Sequence, residues 1–341
     1  MAINQNLMAH LSKHCKVTST VTQTEDEAEW LRVRTRGIGG SDIGAICGVS
    51  PWTTARQIYF NKVGMYKDEM SELQGNATER MYFGHVLEPI VADEFYKREI
   101  KEKGRDWKVI SLDASFAKND EPWMLANVDR MVVDTSGAPV GILECKTTSE
   151  YMNDEWAEGD ILESYIYQLN WYMGIMGVHR GWFACLVGGN KFYIYEVMFN
   201  ETLFNETLVP KGRDFWFNHV LKLCEPPLTS GDTGLINKIN GKAVKGTETF
   251  LNSAIYEEAA ATIVALKAEE KRIKASIEAN QNLLKEALGE NEKGFTSSHI
   301  ITWSPRSQTR VDTEKLKTEF PDVYLKVQKK VNFRAMSVKE V

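Results

Sequence analysis

The sequence predicts an α/β protein in which a mixed sheet is flanked by helices, followed by a helical, partly stranded carboxy-terminal extension. Three observations lead there. Helical and extended patterns alternate in the order α, β, β, β, α, β over residues 26–225. Two strand-like runs, Trp182 to Val187 and Phe192 to Phe199, bracket Gly188, Gly189 and Asn190 as a hairpin. Beyond residue 241 the pattern changes to one long heptad-like helix.

Residues 1–25 read as a polar lead-in. Glu25 to Thr35 is a short amphipathic helix stopped by Gly37. In the next stretch, RGIGGSDIGAICG, Gly37, Gly39 and Gly40 make a tight loop. Ser41 is placed to cap a helix through Ile43 and Ile46. A second capped helix follows Pro51 and Thr53 and ends at Gly64. A longer helix from Thr78 to Ile100 puts Met81, Val86, Leu87, Ile90, Val91 and Phe95 at its apolar positions, with a kink expected at Glu88–Pro89. Three extended runs follow: Lys108 to Ala117, Met124 to Asp134, and Val140 to Thr148. Asp160 to Gly177 is helical, and after the hairpin another helix runs around Phe204 to Leu223. Residues 226–241, rich in Pro, Gly, Ser and Thr, read as a linker.

In residues 242–341, Tyr256, Ile263, Ile277 and Leu284 share one heptad position and Leu266, Ile273 and Ala287 another, interrupted by Glu270 and Asn280. Gly289 ends this helix. A strand-like HIITWSP and a Lys-rich helical segment around Thr313 to Val331 follow. From Ala260 onward, 15 Lys and Arg face 11 Asp and Glu, so this end is positive in a chain of net charge −6.

The 341 residues suffice for one large core and a further module. No apolar run approaches the roughly 20 residues of a membrane span, and MAINQNLMAHLSKH lacks signal-peptide regions. A soluble cytoplasmic protein is expected. The five cysteines form no C-x-x-C, and the six histidines form no H-x-H or H-E-x-x-H, so any metal must be held by oxygen.

The residues that carry chemistry are Asp129 in NVDRMVVD and Glu144, Cys145 and Lys146 in GILECKTT. On a strand, Glu144 and Lys146 share one face. A loop centred on Gly137 brings Asp129 back beside them, although the simplest register sets it opposite Cys145, so a bulge is required. Two carboxylates and a main-chain carbonyl suit a hard divalent ion such as Mg²⁺, which keeps waters for a phosphate substrate. Such an ion polarises the phosphate and acidifies an attacking water, while Lys146 orients that water or offsets the growing charge. A surface ion pair on an amphipathic strand would leave the same short signature. Glu88 could reach a metal directly or through water, and Gln168 could hold the water or the lysine. Tyr165, Gln168 and Tyr172 form one helix stripe, a pattern more often found in a core than at a site. Ser41 with Arg34 and Arg36 makes a possible anion cradle; a glycine-rich turn with an ordinary cap is the plainer reading.

With these motifs in view, the sequence resembles the YqaJ-like viral recombinases, phage-type alkaline exonucleases related to lambda exonuclease. The likeness rests on G-I-G-G-S-D-I at 37–43, S-P-W at 50–52, G-x-x-L-E-P at 84–89 and the D…E-x-K core with its later Tyr and Gln, over about residues 26–200. It implies a restriction-endonuclease-like PD-(D/E)XK fold that digests double-stranded DNA from 5′ ends with Mg²⁺, Mn²⁺ being able to substitute. Asp129, Glu144 and the Cys145 carbonyl would hold the metal, Lys146 would be the catalytic lysine, Glu88 an additional acid and Gln168 the glutamine near the water. Arg34, four residues after Trp30, would join Ser41 at the terminal 5′-phosphate, with Arg36 as substitute. The resemblance also implies a homo-oligomer, a ring-shaped trimer in the best-known member, and a single-strand annealing protein as partner. The setting would be the cytoplasm of a bacterial host carrying the phage or prophage. Asn127 and Val128 precede Asp129 where the family often has proline. An endonuclease with the same core, and a DNA-binding recombination scaffold without chemistry, are the other readings.

Overall fold

Leu7 and Leu11 lie four residues apart, so a helix through them turns both to one side. In the computed structural model, which describes residues 5–22, 25–67, 70, 77–329 and 334–339, Gln5–Leu11 (α1) is that helix, and both leucines are buried. Cys15–Ser19 (β1) follows and joins a sheet. The amino-terminal segment is therefore not a polar lead-in. Its apolar side chains enter the core at intervals while the polar ones between them face water, so the period carries what the average composition hides.

Glu27–Arg34 (α2) is capped by Asp26, whose carboxylate accepts from Glu29 N. Gly40–Ile46 (α3) and Ala55–Val63 (α4) come next. Thr54, rather than Thr53, caps α4, and Gly64 ends it at φ +71°. Ala77–Phe95 (α5) runs through Pro89 and continues helically over Tyr96–Lys101. Of the six apolar positions expected on α5, Val91 and Phe95 are buried while Met81, Val86 and Ile90 are exposed. The sheet covers only one side of α5, and its apolar surface is broader than that side.

The run from Lys108 to Ala117 is not one strand. Lys108–Ile110 (β2) and Ser115–Lys118 (β3) are separated by Asp113 at φ +45° and enter different sheets. The run from Met124 likewise divides into Leu125–Ala126 (β4) and Arg130–Val133 (β5). Pro139–Thr148 (β6) follows. Asn153–Glu158 (α6) lies outside the sequence reading; Glu163–Met176 (α7) is the expected helix and ends at Gly177. Arg180–Val187 (β7) and Lys191–Met198 (β8) form the hairpin.

Strands β2-β5-β6-β7-β8 make a five-stranded sheet, parallel only between β6 and β7, and β1-β3-β4 make a smaller one. The larger sheet is thus mixed, as its one helical crossover predicts. Alternation along the strands sends Met131, Ile142, Phe183 and Cys185 to a core built with α7, and Val132, Leu143, Trp182 and Ala184 to another built with α5.

The helical run Leu203–Leu208, Val209–Asp214 (α8) and Phe215–Val220 closes this layer. Residues 226–241 are not simply a linker. A turn at Ser230–Asp232 leads into Thr233–Ile239 (α9), Leu235 is fully buried, and the Asp232 carboxylate accepts from the Thr54 hydroxyl at 2.5 Å. Local polarity signals a loop, but Pro226, Asp232 and Leu235 are buried and Ile239 packs against the core, so the segment is anchored.

The chain divides into two units, Met1–Ile239 and Asn240–Val341. In the second, Ala254–Leu288 (α10) is one helix of 35 residues ending at Gly289, with Leu266, Ile273, Ile277 and Leu284 exposed. Lys293–Phe295 (β9) and Ile300–Thr302 (β10) form a hairpin. The Lys-rich segment is broken at Pro321 into Thr313–Glu319 (α11) and Pro321–Val327 (α12); residues 330–333 lie outside the described residues. Among the described residues no helix is long and apolar enough to cross a membrane.

If residues 226–241 were a tether, truncating Leu235 would leave stability unchanged. Leu235→Ala should instead lower it by roughly 2–5 kcal/mol, the usual cost of emptying a buried leucine site, read by denaturant unfolding.

Candidate active site

β6 carries Glu144 and Lys146 on one face, and β5 returns antiparallel beside it. Arg130 pairs with Leu143, so the next step outward sets Asp129 level with Glu144 rather than with Cys145. The required bulge exists, at the turn: the register shifts between Val132 and Val133, after Asp134 has taken the N–H groups of Ser136 and Ala138. Asp129 is then locked, because its Oδ2 accepts from Cys145 N at 2.8 Å.

Glu144 is 1% exposed. Its Oε2 accepts from Lys146 Nζ at 3.1 Å and from Gln168 Nε2 at 2.8 Å, while its Oε1 is buried without a partner. Lys146 Nζ also donates to Gln168 Oε1 at 3.0 Å and lies 4.8 Å from the centre of the Tyr165 ring. Gln168 therefore spends both ends of its amide on the pair, fixing lysine and glutamate together.

Burial and the neighbouring Asp129 carboxylate push Glu144 up to about 8, against the pull of Lys146. Burial also raises Asp129, with Glu88 adding to it and Lys146 and the Cys145 N–H opposing. For Lys146, burial lowers the pKa, but Glu144 and Asp129 outweigh it, so the ammonium stays charged.

Glu88, from α5, stands at the edge of this group. Arg130 donates to Glu88 Oε1 and, at 2.6 Å, to the Asp129 carbonyl. Burial raises the Glu88 pKa, but His85 and Arg130 together hold it below the carboxylate range. Among the described residues no three His, Cys, Asp or Glu side chains are grouped to hold a metal. The donors that remain together are Asp129 and Glu144, with the Cys145 carbonyl in the same strand. They fit a hard cation that keeps several waters: the atoms are oxygens, one of them is buried and unpaired, and Asp129 raises the Glu144 pKa even with the Lys146 ammonium beside it.

The glycine-rich loop is pinned by main-chain bonds from Ile38 N to Trp123 O at 2.7 Å and from Leu125 N to Ile38 O at 2.8 Å. A Cβ at Gly37 would fall 2.3 Å from Trp123 O, which is why glycine stands there. Ser41 is not the helix cap. Gly39 holds that position, and the Asp42 carboxylate accepts from Gly39 N at 2.9 Å. Freed from capping, Ser41 Oγ accepts from Arg34 Nη2 at 2.7 Å, and the Arg34 guanidinium lies over the Trp30 ring at 4.6 Å. Arg36 does not join them; its guanidinium approaches Glu29 at 3.9 Å.

Sequence reasoning missed the support beneath this cradle. Lys62 Nζ donates to Asp42 Oδ2 at 2.6 Å and to the Arg34 carbonyl at 2.8 Å, tying α2, α3 and α4 together. Burial raises the Asp42 pKa, but Lys62 and Arg34 outweigh it and hold that carboxyl below its usual range. Nothing in an isolated Lys62 on a helix signals such a partner. A Cβ at Gly40 would lie 2.5 Å from the Tyr172 ring and 3.1 Å from Gln168, so the loop presses directly on the α7 stripe that serves Glu144 and Lys146. The α3 loop and the acids thus meet on the same helix.

The sequence profile of the YqaJ-like viral recombinase domain matches residues 29–179, a span that contains all of these groups. Uncharacterized protein YqaJ of Bacillus subtilis (strain 168) is 35% identical over 317 residues, covering 92% of this chain and 94% of its own. The chain belongs to the YqaJ-like viral recombinase family. An alkaline exonuclease (LHK-Exo) from Laribacter hongkongensis is similar over 58% of this chain and 94% of its own, at 16% identity and TM-score 0.42. LHK-Exo in complex with dAMP is similar over 63% of this chain and 100% of its own, at 15% identity and TM-score 0.41.

A carboxyl whose folded pKa lies above its unfolded value favours the folded state at low pH and loses that advantage as pH rises. Without divalent cation, stability should therefore fall between the ordinary carboxylate range and the Glu144 value of about 8. The slope is at most about 1.4 kcal/mol per pH unit for one proton. Melting curves across that interval should flatten in Glu144→Gln.

Proposed function

We propose that this member of the YqaJ-like viral recombinase family is a Mg²⁺-dependent exonuclease that digests linear double-stranded DNA from its 5′ ends, leaving 3′ single strands for homologous recombination. The convergence of Asp129, Glu144, Lys146 and Gln168 beside the Arg34–Ser41 pair supports this most strongly. Asp129, Glu144 and the Cys145 carbonyl would hold the cation, for which Mn²⁺ can substitute. Bound there, it supplies Lewis acidity to the scissile phosphate and lowers the pKa of the attacking water.

Lys146, held by Gln168 and Glu144, aims its remaining N–H at the water and offsets charge growing on the phosphoryl oxygens. The water oxygen bonds to phosphorus, the P–O3′ bond breaks, and the departing O3′ takes up a proton. Each cycle releases a nucleoside 5′-monophosphate. Arg34 and Ser41 bind the terminal 5′-phosphate, which sets polarity without reading a base. Arg130, bound to both Glu88 and the Asp129 carbonyl, braces the acid rather than the substrate.

Self-association around the duplex is part of the same reading and is supported by the exposed Met81, Tyr82, Phe83, Val86 and Ile90 on α5. A released 3′ strand would be handed to a single-strand annealing protein in the cytoplasm of a bacterial host.

Asp129→Ala, Glu144→Ala and Lys146→Ala should each cut the rate on linear duplex by roughly a hundredfold or more with Mg²⁺ present. Covalently closed circles should resist. Their digestion at the rate of linear DNA would indicate an endonuclease, and tight binding with no cleavage in any divalent cation would indicate a scaffold. Arg34→Ala should erase the preference for a 5′-phosphorylated over a 5′-hydroxyl end, measured as the ratio of initial rates.

A further inference from the structure

Ser50, Pro51 and Trp52 form a motif for which the chemistry above has no use. The Trp52 side chain is 61% exposed, yet its loop is rigidly made. Val49 N and Ser50 N both donate to the Gly44 carbonyl, at 2.9 and 3.1 Å, which fastens the loop to α3. The Ser50 hydroxyl oxygen accepts from Trp52 N at 3.3 Å and from Thr53 N at 3.4 Å. Pro51 sets its own φ. Thr54 caps α4 through its own hydroxyl oxygen, and that hydroxyl donates to the buried Asp232. A ring held this way gives up little freedom when something packs on it.

Inward, Trp52 meets Tyr165, with ring centres 5.5 Å apart and planes 31° from parallel. Tyr165 in turn faces Lys146 Nζ at 4.8 Å and has the buried Trp156 behind it, 6.4 Å away between centres. Trp52 is therefore the outer end of an aromatic shelf whose inner end touches the lysine of the acid cluster. Single exposed apolar side chains are common and need no explanation. This one combines an exposed ring, a braced loop and a place one ring removed from Lys146.

We propose that Trp52 stacks on the base of a nucleotide adjoining the scissile phosphate, and so is a substrate-stacking residue of this site. The inference rests on the nuclease reading above. Stacking is indifferent to base identity because every base has a π face, which suits an enzyme that must digest any sequence it meets. The stack holds substrate equally before and during bond breaking, so it lowers KM and leaves kcat to the acid cluster.

The test compares Trp52→Ala and Trp52→Phe in the full chain. Trp52→Ala should raise KM for linear duplex by roughly tenfold to a hundredfold, the range that loss of one base–aromatic stack produces, with kcat little changed. Trp52→Phe should recover most of it. A second reading uses duplex with phosphorothioates at the terminal linkages and 2-aminopurine at either of the first two positions of the 5′-ended strand. Wild type and Trp52→Phe should quench its fluorescence on binding, and Trp52→Ala should not. Unchanged KM and quenching in Trp52→Ala, or a Trp52→Phe no better than Trp52→Ala, would overturn the stacking role while leaving the nuclease reading in place. A wild-type protein that digests no linear duplex would overturn the nuclease reading itself.

Discussion

Two carboxylates and one ammonium group occupy a common buried volume at β6, and much of the first unit is arranged around that cost. A lone buried carboxylate is expensive, and a second beside it is worse. Lys146 neutralises one charge, and the other acid is left with a raised pKa and, at Glu144 Oε1, an unpaired oxygen. Such a cluster persists because its frame is stiff. β5, β6 and β7 are paired on both sides of Glu144, with hydrophobic layers above and below the sheet. Stability is given up locally and supplied by apolar burial elsewhere.

Gln168 shows how that frame reaches the chemistry. Its amide can satisfy a donor and an acceptor at once, so one side chain bridges Lys146 and Glu144 and fixes their spacing. Its helix, α7, is the crossover between parallel strands β6 and β7. The same helix meets Gly40, where only a missing side chain lets the α3 loop approach. The crossover that topology demands is thus also the link between acids and cradle. Geometry of this kind is carried by packing, and a change at Gly40 would be felt at Lys146 without touching it.

The elements with strong periodic signals were legible: α2, α4, α7, the β7–β8 hairpin and α10 stand close to where sequence puts them. The residues that converge were legible as well, because Glu144 and Lys146 share a strand face whatever the register. What could not be read depends on partners far along the chain. Asp113 and its positive φ split one extended run into two strands of different sheets, a choice made by tertiary pairing. Ser41 has every local property of a cap, but Gly39 holds that position, and Asp42, compensated by Lys62, turns back to accept from the Gly39 N–H. Leu235 looks like a loop residue until the core that receives it exists. Leu7 and Leu11 are masked in the sequence by the average polarity around them, although their spacing of four sets both on one helix side.

Charge poses the remaining question for a chain that is acidic in sum. Affinity for DNA comes from local contacts with phosphates, so the cations must be concentrated where the backbone runs. In the first unit several of them are already committed: Lys62 to Asp42, Arg130 to Glu88, Arg36 to Glu29. Arg34 differs, since its hydrogen bond goes to the neutral Ser41 hydroxyl and its guanidinium lies over the Trp30 ring, while the Asp42 carboxylate that feels its charge is already paired with Lys62. An anion arriving there meets a guanidinium held in place by a neutral hydroxyl rather than by a carboxylate. Glu144 keeps its proton below about pH 8, so a cation bound by the two acids would have to displace that proton. In the proposed reading, Arg34 registers the chain end, while a cation held by Asp129 and Glu144 would admit the phosphate that follows it.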